Sequence, residues 1–71
     1  GKDEAKIIAF DHLYKNQIRY QFVTKIRDAG EYWRMRVHYY DTLAPGGFDI
    51  FIDKETGDLK TEHWKMPSRY K

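Results

Sequence analysis

Hydrophobic and polar positions change their period once along the chain, from the period of a helix to that of a strand. Between Asp3 and Asn16, Ile7, Phe10, Leu13 and Tyr14 fall on one face at 100° per residue, with Ala9 at its margin. The spacing predicts a helix over residues 3–16 that buries this face. Asp3 stands where an N-cap is expected, Asp3 and Glu4 suit the positive end of the helix dipole, and Asn16 is a reasonable terminator. Lys6 falls inside the apolar face and must snorkel, while Ile8 falls outside it.

From residue 17 the alternation is strand-like. Ile18, Tyr20, Phe22, Thr24 and Ile26 share one face, and Gln17, Arg19, Gln21, Lys25 and Arg27 share the other, with Val23 as the exception. This predicts one long half-buried strand over 17–27. A hairpin-sized loop comes next at Asp28-Ala29-Gly30-Glu31. In a second strand, 32–40, Trp33, Met35, Val37 and Tyr39 point inward, and Tyr32, Arg34, Arg36, His38 and Tyr40 point outward. The stretch 42–47, with Pro45-Gly46-Gly47, reads as a loop. A third strand over 48–53 turns Phe48, Ile50 and Ile52 inward, and Asp53 to Asp58 form a turn in which Gly57 takes a positive φ. Residues 59–64 alternate poorly and are expected at a sheet edge, and Pro67 removes the tail, 65–71, from any ladder.

Short loops make sequential strands antiparallel, and a sheet with one apolar face is most economically covered by the one amphipathic helix. The expected fold is therefore α+β, with one N-terminal helix packed on a three- to four-stranded antiparallel sheet. Residues 1–71 form a single domain: helix 3–16, sheet 17–64, tail 65–71. A chain of 71 residues has no room for two cores.

Composition narrows the chemistry. With no cysteine, disulfide scaffolds, thiolate metal sites and cysteine nucleophiles are excluded. His12, His38 and His63 lie on different elements without metal-ligand spacing, and the acidic run Asp49, Asp53, Glu55, Asp58 does not match a calcium loop. Ser68, the only serine, lies in the tail, and no glycine-rich phosphate loop precedes a helix. We therefore expect no enzyme, no cofactor and no metal. No apolar run is long enough to span a membrane, and no segment reads as a signal peptide; the start at Gly1 instead of Met leads us to expect a processed chain.

Three segments carry a family likeness: Glu4-Ala5-Lys6-Ile7-Ile8-Ala9, Tyr32-Trp33-Arg34-Met35-Arg36-Val37, and the most specific, Gly47 to Leu59 with its Ile-Asp-x-x-Thr-Gly-x-Leu ending. Together they resemble the PepSY/YPEB type of domain, cystatin-like in build, across roughly residues 4–59. The long regular first strand and the tail after Leu59 depart from that pattern. The resemblance implies an extracytoplasmic module, in the periplasm or cell envelope, that binds a protein and regulates or inhibits a peptidase without being an enzyme.

The feature with most functional promise is the outward sheet face. Residues 15–40 hold six basic and two acidic side chains, a net +4 against +2 for the whole chain. Arg19, Tyr32, Arg34, Arg36, His38 and Tyr40 are the candidate partner-binding residues. The expected partner is a protein, with single-stranded nucleic acid as the alternative ligand of a basic, tyrosine-rich sheet. An exposed edge strand allows either a monomer or a sheet-extended dimer.

Overall fold

The computed structural model describes residues 1–39 and 46–65, without the side chain of Lys65. Helix α1 (Lys2–Lys15) is followed by β1 (Tyr20–Val23), β2 (Arg27–Ala29), β3 (Tyr32–Tyr39), β4 (Gly46–Asp53) and β5 (Leu59–Lys65). All pairings are antiparallel: β1 and β2 both pair with β3, β3 with β4, and β4 with β5. The helix packs on β3 and β4. This is the expected two-layer α+β fold, with the helix on an open sheet. Gly46 and Gly47, expected in a loop, open β4 instead, because both pair with β5. Residues 40–45 and those after Lys65, and with them the candidate Tyr40, lie outside the described residues.

Five strands appear where the alternation predicts three or four, because the long first strand is broken in two. Two steps along β1, from Tyr20 to Phe22, match one step along β3, from Tyr39 to His38. Four steps, from Val23 to Arg27, match three, from Val37 to Arg34. Each mismatch is a bulge, and each bulge inverts the inward and outward parity of the residues after it. Phe22, expected inside, therefore faces outward at 49% exposure, and Val23, the exception in the pattern, packs against the core. Between the bulges, Thr24 replaces part of the ladder with its own hydroxyl. Its N–H donates to the Arg36 carbonyl at 2.9 Å, and the Arg36 N–H donates to Thr24 Oγ1 at 3.0 Å.

The helix is rotated from the face its large apolar residues predict. Ala5, Ala9 and Leu13 are buried, with Ile8 and Phe10 at the flanks, while Ile7 and Tyr14 are 70% and 83% exposed. Bulk explains this. The sheet supplies Met35, Val37, Phe48, Ile50 and Ile52, all buried, so the helix is left to supply small side chains that permit close approach. Each fully buried large side chain in this layer contributes roughly 1.5–3 kcal/mol. Lys6 stays exposed, at a cleft that Phe10, Val23 and Met35 also line.

The helix begins at Gly1 as N-cap without a side-chain cap, and not at Asp3, which lies within its first turn. Its C-terminus closes as a Schellman motif around Asn16. Ile18 N–H donates to the Leu13 carbonyl and Gln17 N–H to that of Tyr14, which forces Gln17 to φ 52°. The turn after β4 is as expected, with Gly57 at φ 78°. Asp53 Oδ1 accepts from the N–H groups of Glu55 (2.8 Å) and Thr56 (3.0 Å), and Gly57 N–H donates to the Asp53 carbonyl.

Candidate functional site

The strand register arranges the outward face in rows that cross the sheet. Toward one end, Arg27 of β2, Arg34 of β3, Phe51 of β4 and Lys60 of β5 form a row, with Tyr32 beyond it on β3. The next row is Arg36, Asp49 and Glu62, and the last is Phe22, His38, Gly47 and Trp64. Of the candidate residues, Tyr32, Arg34, Arg36 and His38 thus share this face. Arg19 is exposed but precedes β1, so the sheet does not gather it with the others. Lys25, also expected here, lies in the break between β1 and β2 and lines a cleft of about 540 Å³ beside the helix, with Phe10, Val23 and Met35.

The lower half of the face is closed. Arg36 holds Asp49 with two hydrogen bonds, Nε to Oδ1 at 2.8 Å and a terminal nitrogen to Oδ2 at 3.1 Å. The Asp49 carboxylate raises the Arg36 pKa further above its ordinary value. Asp49 is only 7% exposed, so without this fork a buried carboxylate would be left unpaired. The Arg36 guanidinium also lies over the Trp64 ring, 4.7 Å from its centroid. His38 stacks on Phe22 at 4.0 Å between centroids and meets the edge of Trp64 at 5.0 Å.

Gly47 makes this closed packing possible. A Cβ built there would stand 1.9 Å from the Val37 carbonyl oxygen and 3.1 Å from Trp64 Cζ2. Only glycine lets β3 and the indole come this close. The Trp64 indole N–H is buried and finds no acceptor among the described residues.

The upper half of the face is open. Among the described residues, Arg27, Arg34 and Lys60 have no carboxylate within salt-bridge distance; the side-chain ion pairs there are Lys15–Asp11, Arg36–Asp49 and Lys54–Asp28. The Lys60 ammonium lies 4.5 Å from the Tyr32 ring centroid and 5.6 Å from that of Phe51, and these two rings meet edge to face. Lys60 therefore lies over two aromatic rings, and Arg34 and Arg27 continue the same row beyond Phe51, on a surface the helix does not cover. Phe51 and Arg27 already read as outward in the alternation. The missed members are Lys60 and Trp64, because β5 hides its period: His63, on the inward side, is as polar as its outward neighbours.

Two further carboxylates, Asp28 and Asp53, are held in turns. Asp28 accepts from Lys54 Nζ at 2.6 Å and from the Gly30 N–H at 3.0 Å, and both lower its pKa, the lysine most. The Asp53 carboxyl is lowered by the N–H groups of Thr56 and Glu55. Among the described residues no three His, Asp or Glu side chains come together as a metal-ligating set, and no helix is long and apolar enough to cross a membrane. No protein-family model, curated protein or solved structure matches the chain.

Proposed function

We propose that this chain is a non-catalytic binding module whose open half-face docks an acidic segment of a protein partner. The observation that carries the reading is the row Arg27, Arg34, Phe51, Lys60, in which three cations without carboxylate partners among the described residues border an aromatic surface. Guanidinium groups bind carboxylates through paired hydrogen bonds, and aromatic rings beside them supply the apolar anchors typical of protein interfaces. The resemblance to PepSY/YPEB-type domains supports placing the partner in the cell envelope, as a peptidase or a protein acting with one, and the chain outside the cytoplasm. In this reading Arg36 and His38, in the neighbouring rows of the same face, brace the surface and are not themselves its contacts.

The experiment compares the parent with the double variant Arg27→Glu, Arg34→Glu. An envelope protein retained by the immobilised parent is purified, and its affinity for both chains is measured. We expect the variant to lose about tenfold or more in affinity while its circular dichroism is unchanged. Equal affinity for the two chains would sink the proposal. A short single-stranded oligonucleotide serves as the contrasting ligand. Tight binding of it, falling log-linearly and steeply with salt, would put the nucleic-acid reading in place of this one.

A further inference from the structure

The two edges of the sheet are built differently. The β1–β2 edge is short and interrupted by two bulges, which is how folded chains blunt an edge against further pairing. β5 has seven residues in unbroken register with β4, from Leu59 opposite Ile52 to Lys65 opposite Gly46. The helix packs on β3 and β4, and among the described residues no strand pairs with the far side of β5.

We propose that this edge pairs with the β5 edge of a second copy of the chain, antiparallel and centred on Thr61, joining two sheets into one. The charges select both the partner and the register. On the outward face of β5 the signs alternate, Lys60 then Glu62, and both residues are exposed. A two-fold axis through Thr61 sets Lys60 opposite the second copy's Glu62 and Glu62 opposite the second copy's Lys60. The two threonines meet on the axis, and Leu59 faces the second copy's His63. Cross-strand partners of this kind lie about 4.5–5.5 Å apart at Cβ, close enough for opposite charges and paired threonines to stabilise the contact. Moving the axis by one residue, to Lys60 or to Glu62, places like charges opposite each other.

Among the described residues no cation lies within salt-bridge distance of Glu62. Its neighbour on β4 is Asp49, whose two oxygens are both held by Arg36. Among the described residues neither Glu62 nor Lys60 has an oppositely charged group within salt-bridge distance. A second copy supplies Glu62 with a cation, and Lys60 turns from the Tyr32 and Phe51 rings, where it lies in the single chain, to meet it.

The test is the mass of the full chain, by sedimentation or light scattering, from roughly 10 µM to 1 mM. The parent should move from 8.6 kDa toward twice that value. Lys60→Glu and Glu62→Lys should each weaken association by about tenfold or more, and the charge-swapped double variant should recover it to within about threefold. Thr61→Lys, which sets two ammonium groups on the axis, should give the same loss and replaces either single variant if that one fails to fold. Arg34→Glu should leave the mass unchanged, which separates this inference from the reading of the open face. A parent that stays monomeric at the highest concentration overturns the proposal. So does a swapped variant that does not recover, or single variants that dimerise like the parent.

Discussion

Arg34 and Arg36 occupy the same strand and the same face, two residues apart, yet they do different work. Arg36 meets a buried carboxylate at 2.8 Å and a tryptophan ring, and it belongs to the closed half of the face. Arg34 meets Arg27 on one side and Phe51 on the other, with no carboxylate within salt-bridge distance among the described residues, and it belongs to the open half. The difference comes from the neighbouring strand. β4 presents Asp49 to one arginine and Phe51 to the other. A count of basic residues therefore overstates a binding surface, because one of its cations is already neutralised. What remains as a candidate recognition element is a cation with an aromatic neighbour and no partner charge.

The largest way to break the comparison is at Gly47. Gly47→Val would drive a side chain into the Val37 carbonyl and the indole above it. We expect a loss of roughly 3 kcal/mol or more, enough to unfold much of a domain this small, and denaturant unfolding would show it. An unchanged midpoint would mean that Trp64 does not lie over this glycine.

Removing the arginines one at a time comes next. Arg36→Gln leaves Asp49 buried without its fork and should cost about 1–3 kcal/mol. Arg34→Gln removes a partly exposed cation with no ion pair among the described residues and should stay within about 0.5 kcal/mol of the parent. Equal costs in urea titrations would erase the distinction between the two halves.

The smallest effect concerns a third fate of charge, a carboxylate held by the backbone. Asp53 accepts two N–H groups in the turn, so its folded pKa lies below its ordinary value. Its stabilising contribution is accordingly present above the unfolded-state pKa and is lost as pH falls through the folded one. Carboxyl chemical shifts should therefore give Asp53 a midpoint below that of Asp53 in the unfolded chain. A midpoint at or above it would contradict the turn geometry.

The helix-then-sheet order, the inward set of β3 and β4, and the Asp53–Gly57 turn were legible because each is written in local period or local turn chemistry. The two bulges were not. Tyr20, Phe22, Thr24 and Ile26 alternate with only Val23 out of step, and it takes pairing against β3 to show that Gln21 and a residue between Thr24 and Arg27 are extra. The rotation of the helix escaped for a related reason. Ile7, Phe10 and Tyr14 are the larger apolar residues, but the volume beneath the helix is already filled by the sheet, so alanines won the contact. Of the candidate site, the β3 members could be read directly. That Arg36 meets a carboxylate and Arg34 a phenyl ring required knowing which β4 residue stands opposite each, a question of register that periodicity alone does not answer.

The central claim, that one half of the sheet face is structural and the other half is free to bind, is tested most directly by melting Arg34→Glu and Arg36→Glu side by side at neutral pH. Arg34→Glu should melt with the parent, since it places a carboxylate beside Arg27 in solvent. Arg36→Glu sets a second carboxylate against buried Asp49 and should melt at least about 8 °C lower, the shift that some 2 kcal/mol produces in a domain of this size. If both variants melt with the parent, or if Arg34→Glu falls as far as Arg36→Glu, the division of the face is wrong.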